Sequence, residues 1–463
     1  MAAVGTADLE GLRGALRGEV IAPGDAEYEE ARTVWNAIID RNPAVVVRPG
    51  EAADVATAIG FARERDLPLA VRGGGHNVAG NATWDGGVVI DFSSMRGVDV
   101  NPATRTVRVE AGALLGDLDA AVAEHGLVVP GGIVSTTGVA GLTLGGGFGW
   151  LSRKLGLTVD SLISAEVVTA DGEFVTASED SRPDLFWALR GGGGNFGVVT
   201  SFEFGAHELG PDLLCGLVVH PIESAREYLQ HHREVLKQAP EELSAWLVAR
   251  LAPPLPFLPE EVHGRQVVAV GFVYAGDPAE GERFVEEHIA GFGNPYGKHI
   301  GVAPFVEWQQ TFDALNAEGD RYYWKSHNLP ELSDPVIDAA IDAVDNLPSP
   351  WAEVFIPHMG GAISNRPADS TAYAHRDANY IVNIHGHWTD AADDERGIEW
   401  TRGLFDALTP HATGTAYVNF ISDEGADRVR DAYPPTVWSR LVEAKRRYDP
   451  ENVFQLNQNI PPD

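Results

Sequence analysis

The segment Val71-Arg-Gly-Gly-Gly-His-Asn77 directly follows the apolar stretch 67–71 and gives the first indication of fold and chemistry. Consecutive glycines can adopt positive φ and leave no side chain in the way of a ligand. Successive backbone N–H groups in such a turn can form an anion-binding nest, and His76 adds a nucleophilic imidazole at its end. The pattern indicates a phosphate-bearing cofactor that is also held covalently. The alternative is a glycine-rich turn with a surface histidine.

The composition is that of a large, acidic protein. Its 463 residues predict two or three domains, at roughly 100–200 residues each. A net charge of −33 argues against a nucleic-acid partner, because phosphate binding needs clustered Lys and Arg. Cys215 is the only cysteine, which excludes an intrachain disulfide and a cysteine-based metal site. It lies in an apolar strand-like segment and is expected to be a buried structural residue.

The N-terminal segment 1–10 lacks the basic and apolar regions of a secretory signal. No apolar run approaches the ~18 residues of a membrane span. We therefore expect a cytoplasmic protein that contacts no membrane.

The pattern of glycines and periodic segments divides the chain into three parts. Up to about residue 206, short elements alternate with glycine-rich loops; helices are predicted at 6–17, 26–37 and about 113–125, the last with Asp119 outward. Longer segments follow, with helices at 222–238, 277–290, 333–346, 392–407 and 435–448, and strands at 244–251, 266–274, 353–358 and 380–387. This alternation predicts one sheet covered by helices on one side. Glycine, tyrosine and asparagine return around 408–420, so we predict domains at 1–206 and 207–409, with 410–463 returning to the first.

Two further glycine-rich segments accompany the first. Gly192-Gly-Gly-Asn-Phe-Gly197 matches G-x-G-x-x-G, but a helix precedes it and a strand follows, which is the reverse of the dinucleotide-binding turn. A nicotinamide-dependent dehydrogenase is therefore disfavoured. Together with the segment 138–149, these loops could surround an extended ligand with a pyrophosphate and two ring systems.

Five separated motifs, in order, carry a resemblance to a known family. They are Arg72–Asn77, the segment 138–149, Leu189-Arg-Gly-Gly-Gly-Gly-Asn-Phe-Gly-Val-Val-Thr200, Ala416-Tyr-Val-Asn-Phe420 and Leu456-Asn-Gln-Asn-Ile460. The chain resembles the berberine bridge enzyme-like FAD-linked oxidases of the vanillyl-alcohol oxidase superfamily, nearest to the bacterial 6-hydroxy-D-nicotine oxidase-like branch. The resemblance implies an α+β fold. A PCMH-type FAD-binding domain of two α/β subdomains would be joined to a substrate domain, an antiparallel sheet covered by helices.

The resemblance also implies how FAD is held. A ring nitrogen of His76 would be joined to the flavin 8α-methyl group, a link that generally raises the flavin's potential. Many members carry a second link through cysteine, and we place Val134 at that position, so the attachment should be through His76 alone. The positions that match the family's FAD-binding residues are Arg72, Gly73, Gly74, Gly75, His76, Asn77, Val134, Thr136, Thr137, Gly138, Gly141, Leu142, Gly145, Gly146, Gly194, Asn195, Phe196, Gly197, Val198, Tyr417, Asn457 and Asn459.

Candidate catalytic residues follow from the same motifs. Tyr417 and Asn419 match the family's Tyr-x-Asn, and Thr137 matches its oxygen gatekeeper. A tyrosine near its reference pKa of about 10 is a poor base at neutral pH and needs a nearby cation or donors to lower that pKa. Lys325, among aromatic residues, is the candidate cation, and a surface lysine is the alternative. Phe420 replaces a second aromatic hydroxyl found in many relatives.

Histidines and neighbouring residues of the middle region leave alternatives open. His358, His385 and His387 could line the substrate pocket or be structural, and no spacing supports a metal site. Glu353 and Phe355 share one face of a strand and could line the pocket; Trp351 and Trp388 could do so as well.

The predicted function is that of an FAD-dependent oxidase. Hydride would pass from a C–H of an alcohol, sugar or cyclic amine to flavin N5, with O2 as the acceptor and H2O2 as the product. One alternative is an oxygenase or cyclase of natural-product biosynthesis that uses a flavin N5-oxide, for which the hydroxyl of Thr137 is suggestive. The other is a flavin-binding protein without turnover.

Overall fold

The computed structural model describes residues 4–210, 212–422 and 424–463. Residues 1–3, at the start of the first predicted domain, lie outside the described residues, as do Pro211 and Asp423. The α-helices are α1 Thr6–Ala15, α2 Tyr28–Arg32, α3 Ala52–Glu64, α4 Leu115–Ala123, α5 Val139–Leu144, α6 Ser152–Leu155, α7 Pro183–Leu189, α8 Ala225–Leu236, α9 Pro278–Val285, α10 Phe305–Gln309, α11 Asp334–Asp342, α12 Asp394–Leu408, α13 Ala426–Asp431 and α14 Pro435–Tyr448. The strands are β1 Glu19–Ile21, β2 Val45–Arg48, β3 Leu69–Arg72, β4 Val88–Asp91, β5 Val98–Asn101, β6 Thr106–Glu110, β7 Leu127–Val128, β8 Leu162–Val168, β9 Phe174–Ser178, β10 Val198–Gly205, β11 His207–Glu208, β12 Asp212–Pro221, β13 Leu243–Leu251, β14 Gln266–Tyr274, β15 Gly297–Pro304, β16 Arg321–Leu329, β17 Glu353–Ile356 and β18 Tyr380–Trp388.

Two sheets form the N-terminal part. The first has the order β1-β2-β4-β3, with β2, β4 and β3 parallel and β1 antiparallel at the edge. Its central strands are almost entirely buried, which explains their continuous runs of Val and Ile. The second sheet is antiparallel, in the order β5-β6-β10-β8-β9, and a tight turn at Asp171-Gly172 joins β8 to β9. Gly172 has φ of +84°, a conformation that favours glycine.

A seven-stranded antiparallel sheet, in the order β15-β12-β14-β13-β17-β18-β16, forms the middle of the chain. Helices α8, α11 and α12 cover one face, where they bury an apolar core that includes Leu229, Ile337 and Leu404. The opposite face turns towards the glycine-rich loops. Together with the two N-terminal sheets, this arrangement confirms the predicted α+β fold with an antiparallel sheet covered by helices.

The C-terminal segment packs back on the N-terminal part. Lys445 of α14 is completely buried, where its ammonium donates to the carbonyls of Asn195 and Phe454, both at 3.0 Å, and pairs with Asp449 at 2.7 Å. Residue 195 belongs to the third glycine-rich loop, so this buried cation ties that loop to the tail. The division of the chain at residues 206 and 409 stays a prediction.

Two local predictions were wrong. The helix expected at 26–37 spans only Tyr28–Arg32, because Trp35 and Ala37 instead donate backbone N–H groups to the carbonyls of Gly75 and Asp320. Asp119 does not point outward but is 5% exposed, and it accepts a hydrogen bond from Gln309. Burial raises the pKa of Asp119 to about 7 despite that bond.

The strand β16 was not predicted at all. Its polar residues Ser326, His327 and Asn328 are buried, so the segment shows no apolar alternation. Within the described residues, no helix combines the length and apolarity of a membrane span.

Candidate active site

A cavity of about 380 Å³ lies between the glycine-rich loops and the uncovered face of the seven-stranded sheet. The loops supply one wall, and strands β12, β13, β14, β16, β17 and β18 supply the other. Of the residues predicted to bind FAD or to act beside it, those that line the cavity are Gly73, Gly74, Gly75, His76, Asn77, Val134, Thr137, Gly138, Gly141, Leu142, Gly194, Gly197, Val198, Tyr417, Asn419 and Asn457. Most of the segments singled out by their glycines therefore meet at one place.

The remaining predicted FAD-binding residues do not line the cavity; they are Arg72, Thr136, Gly145, Gly146, Asn195, Phe196 and Asn459. Arg72 pairs with Asp91 at 2.8 Å and donates to the carbonyls of Thr33 and Ala31. The Asn195 side chain donates to the carbonyl of Gly192 and accepts from the N–H of Ile460. These residues hold the loops in place.

Glycine is required where the loops meet. A Cβ on Gly74 would lie 2.5 Å from the Gly138 nitrogen, and a Cβ on Gly138 would lie 2.3 Å from the Gly74 nitrogen. A Cβ on Gly145 would lie 2.1 Å from Oδ1 of Asn419. At these positions the protein's own packing excludes a side chain.

Gly141 and Gly194 have a different reason to be glycine. Both line the cavity, and a Cβ on either would meet no protein atom within 4 Å. Protein packing does not demand glycine there, but a ligand pressed against the loops would. Asn457 adds a buried Oδ1 with no hydrogen-bond partner among the described residues. The wall thus fits the expected FAD, whose phosphates and rings need close backbone approach and polar partners.

Replacement of Gly141 should separate cofactor binding from folding. Gly141→Ala adds a methyl group to helix α5 without a protein clash, so the apo-protein should become more stable by roughly 0.5–1 kcal/mol. The same methyl group enters the cavity and should lower FAD content. Gly60→Ala is the matched control, because Gly60 is also helical and unobstructed but does not line the cavity. Melting of apo-protein and flavin absorbance per chain measure both effects, and equal flavin content in the two variants would contradict the assignment.

His76 projects into the cavity from the end of the first glycine loop. Its ring stacks on Trp35, with centroids 4.2 Å apart, and Trp35 in turn stacks on Tyr322 at 3.8 Å. Its Nε2 lies 3.4 Å from the hydroxyl oxygen of Thr136. Burial lowers the pKa of His76 to about 4, so the imidazole is neutral at physiological pH. A neutral, oriented imidazole is the form that can act as a nucleophile.

Tyr417 and Asn419 form a hydrogen-bonded pair at the same cavity. The Tyr417 hydroxyl oxygen accepts from the Gly147 N–H at 3.1 Å and from Nδ2 of Asn419 at 2.9 Å. Burial raises the pKa of Tyr417 to about 12, and the two hydrogen bonds only partly oppose it. The phenol is therefore protonated at neutral pH, with its own proton free to be donated into the cavity. The rings of Phe148 and Phe420 lie 5.0 and 4.9 Å from that of Tyr417.

The structure does not bring Lys325 to the cavity. Side chains alternate along a strand, and on β16 it is Trp324 that faces the cavity. Lys325 points to the helix-covered face, where its ammonium pairs with Glu424 and lies 3.9 Å above the ring of Phe405. It is therefore not placed to lower the pKa of Tyr417, and the sequence hypothesis for this residue is wrong.

A row of polar side chains crosses the cavity face of the sheet, and we call Arg250, Glu353 and His385 the polar ladder. Nη1 of Arg250 donates to Glu353 at 2.5 Å, and Nδ1 of His385 lies 3.4 Å from the other carboxylate oxygen. Nδ2 of Asn383 is 2.8 Å from Nε2 of His385. Burial would raise the pKa of Glu353, but the Arg250 charge and the His385 hydrogen bond outweigh it and hold that pKa at about 2.

The sequence pattern indicated Glu353, Phe355 and His385 but not Arg250, Trp246 and Trp324, which line the same cavity. Arg250 and Trp246 are separated by an even number of positions on β13 and therefore lie on the same face of the sheet. This spacing was the signal that could have indicated them from the sequence. His387 instead bonds to Asp320 at 2.9 Å, and His358 lies beside Arg153 at 3.3 Å, neither lining the cavity.

Two other candidates for the pocket, Trp351 and Trp388, also lie outside the cavity lining. Within the described part of the chain, no cluster of His, Cys, Asp or Glu could hold a metal ion.

Comparison with known proteins identifies the family. A family model described as "FAD binding domain" matches residues 43–178, and one described as "Berberine and berberine like" matches residues 416–461. An FAD-linked oxidoreductase of Dictyostelium discoideum is 34% identical over 453 residues, 96% of this chain and 95% of the relative. The chain belongs to the berberine bridge enzyme-like family of FAD-linked oxidoreductases. It is an FAD-dependent oxidoreductase.

Other members of the berberine bridge enzyme-like family match over nearly the whole chain. (R)-6-hydroxynicotine oxidase of Paenarthrobacter nicotinovorans is 32% identical over 464 residues, covering 97% of each chain. The crystal structure of 6-hydroxy-D-nicotine oxidase from Arthrobacter nicotinovorans superimposes with a TM-score of 0.86 at 30% identity, covering 97% of this chain and 98% of the other. BBE-like 1 from Physcomitrella patens gives a TM-score of 0.88 at 26% identity, covering 98% and 99%.

Proposed function

We propose that this chain is an oxidase that carries FAD covalently through His76 alone and oxidises a C–H bond of a small molecule with O2 as the electron acceptor. The observation that carries the proposal is that His76, Thr137 and Tyr417 line one cavity whose opposite wall is the sheet. When bound, FAD accepts a hydride from the substrate carbon and delivers the electrons to O2, giving H2O2.

The protein's own residues bind and orient in this proposal. His76 anchors the cofactor, while Val134, at the position of the second attachment in many relatives, has no group that could form a bond. The Tyr417 hydroxyl, held by Gly147 and Asn419, donates a hydrogen bond to the heteroatom on the reacting carbon. Thr137 is small and leaves room for O2 in the cavity.

Tyr417 and Glu353, two of the ionisable groups that line the cavity together with His385, are not strong bases at neutral pH. The phenol of Tyr417, with a pKa of about 12, is protonated, and Glu353, with a pKa of about 2, is an ionised but weakly basic acceptor. A protonated Tyr417 beside an ionised Glu353 favours a substrate whose O–H or N–H proton is lost after hydride transfer or is transferred to water. A substrate that needs early, complete deprotonation fits less well.

The test is reduction of the bound flavin without oxygen. The purified holoprotein is mixed anaerobically with secondary alcohols, cyclic amines and oligosaccharides, and flavin absorbance is followed in the dark beside a substrate-free sample. We expect at least one substrate class to bleach the flavin and admitted air to restore its colour with release of peroxide. If no substrate in the panel bleaches the flavin, or if air does not restore it, the proposal fails.

A further inference from the structure

The cavity face of the seven-stranded sheet is almost wholly apolar. Aliphatic and aromatic side chains from alternate positions of its strands line it, among them Trp246, Val248, Val267, Ala269, Trp324 and Phe355. Leu255 and Leu258 extend this surface. Among the described residues that line the cavity, the charged side chains are Arg250 and Glu353, and they are paired with each other.

Strand register brings the polar ladder together. Glu353 of β17 is the cross-strand partner of His385 on β18, which in turn faces Trp324 on β16. Ala249 pairs with Val354, which sets Arg250 beside Glu353 on the same face of the sheet. The ladder is therefore a single row across the three adjacent strands β13, β17 and β18, and Trp324 of β16 stands next to it.

Two atoms of the ladder remain for a ligand. Nε of Arg250 donates to the Leu251 carbonyl at 3.2 Å and Nη1 to Glu353, while Nη2 has no acceptor among the described residues. Oε1 of Glu353 has only the long contact of 3.4 Å with His385. The row thus offers one hydrogen-bond donor and one acceptor side by side.

Aromatic rings connect this row to Tyr417. The His385 ring stacks on Trp324 with centroids 4.5 Å apart, Trp324 meets Phe420 at 5.8 Å, and Phe420 meets Tyr417 at 4.9 Å. These rings therefore form a continuous aromatic wall from the ladder to Tyr417.

The charge of the polar ladder determines which kind of polar group on a ligand it can bind. Arg250 and Glu353 neutralise each other, so a bound anion is repelled by the Glu353 carboxylate and a bound cation is repelled by the Arg250 guanidinium. An uncharged group that both donates and accepts can instead bond to Nη2 of Arg250 and to Oε1 of Glu353. A sugar would place most of its hydroxyl groups against apolar side chains, and burial of a hydroxyl group without a hydrogen-bond partner is unfavourable.

We propose, resting on the oxidase function above, that the polar ladder selects uncharged, ring-bearing, largely apolar substrates by a paired donor–acceptor edge, an amide-type or hydroxyl group that donates to Glu353 and accepts from Arg250. Sugars, carboxylates and permanently charged amines are disfavoured. Arg250 and Glu353 are specificity-determining residues.

An isosteric series of probes tests this charge rule without turnover. Benzamide, benzoate and benzamidine share one shape and differ in charge, and cellobiose represents a polyol. Each is titrated into the FAD-loaded protein, with binding read from the perturbed flavin spectrum and by calorimetry. We expect benzamide to bind about tenfold more tightly than either charged probe, a difference of about 1.4 kcal/mol, and cellobiose to bind more weakly still.

Charge variants should reverse the order. Glu353→Gln leaves Arg250 unpaired and should make benzoate the tightest ligand, while Arg250→Met should do the same for benzamidine. Glu353→Asp and Arg250→Lys keep each charge and should keep the wild-type order. If wild type binds a charged probe or cellobiose at least as tightly as benzamide, or binds none of the four, the inference is overturned.

The variants have two further informative outcomes. If flavin-loaded Glu353→Gln and Arg250→Met bind the four probes in the same order of affinity as the wild type, the inference is also overturned. If these variants lose FAD, the order of affinities in the wild-type protein is the deciding result. Failure of the oxidase proposal is distinguishable, because it appears as absence of substrate bleaching, which these binding titrations do not measure.

Discussion

His76→Ala is expected to give a yellow, folded protein that loses all of its flavin on denaturation. The glycine loops still bind FAD, since Gly141 and Gly194 keep the backbone open to it while Gly74 and Gly138 let the loops pack closely. The wild-type chain, denatured and weighed by mass spectrometry, should carry the mass of one FAD, and the variant should have the mass of the bare chain. Substrate oxidation should slow by about tenfold, which corresponds to an increase of about 1.4 kcal/mol in the activation free energy. The reason is that loss of the covalent histidyl link is expected to lower the reduction potential of the flavin.

The control for this prediction is Cys215→Ser. Cys215 is buried in β12, and burial raises the pKa of its thiol to about 12, so it is not a reactive thiolate. The variant should retain covalent flavin in full. Flavin that stays attached in His76→Ala, or leaves in Cys215→Ser, would show that the anchor has been misassigned.

Tyr417→Phe is expected to lower kcat by about 10²-fold, the usual cost of removing one positioned hydrogen-bonding group from a reacting centre. The hydroxyl of Tyr417 is held in place by Gly147 and Asn419, so the substrate meets it without a reorganisation cost. FAD content should be unchanged. Stopped-flow bleaching of the flavin under anaerobic conditions measures the hydride step directly.

The pH profile separates a hydrogen-bonding role from a basic one. With a pKa of about 12, the Tyr417 hydroxyl stays protonated throughout the neutral range and loses its proton only as pH rises towards that value. The variant should therefore be slower by the same factor at every neutral pH. A wild-type rate that rises with an ionisation near neutral pH, and a variant that lacks it, would instead make Tyr417 a base.

Tyr373→Phe is the matched control for Tyr417. Its ring lies 6.0 Å from that of Tyr417 and is equally buried, but it does not line the cavity. Loss of its hydroxyl should leave the rate within a factor of about two. A comparable loss in both variants would mean that packing, rather than the positioned hydroxyl, sets the rate.

The cofactor wall was largely predictable because its determinants are local. Gly73, Gly74 and Gly75 precede His76 without interruption, and the backbone freedom of glycine acts within a few residues. Each glycine-rich segment could therefore be interpreted on its own, and most of them do meet at one cavity. The family resemblance supplied what local chemistry could not, namely the identity of the cofactor.

The local sequence pattern did not show which face of a strand meets the cavity; the packing of the sheet determines it. Lys325 and Trp324 are neighbours in sequence, yet they lie on opposite faces of β16, and only the sheet's packing determines which face meets the cavity. Asp119 shows the same limit on a helix, because its apparently exposed position is covered by Gln309, 190 residues further along the chain.

The sequence by itself determined the glycine-rich loops and the position of His76 at the end of the first of them, and it predicted which part of the chain forms each wall of the cavity. The tertiary structure alone decided that Arg250 and Glu353, 103 residues apart, are paired inside an apolar cavity beside His385. The reason is physical: glycine conformation acts through adjacent peptide units, whereas the charge balance of a cavity depends on which strands pair and in what register. The proposed substrate preference therefore resides in contacts that no single segment of the chain contains.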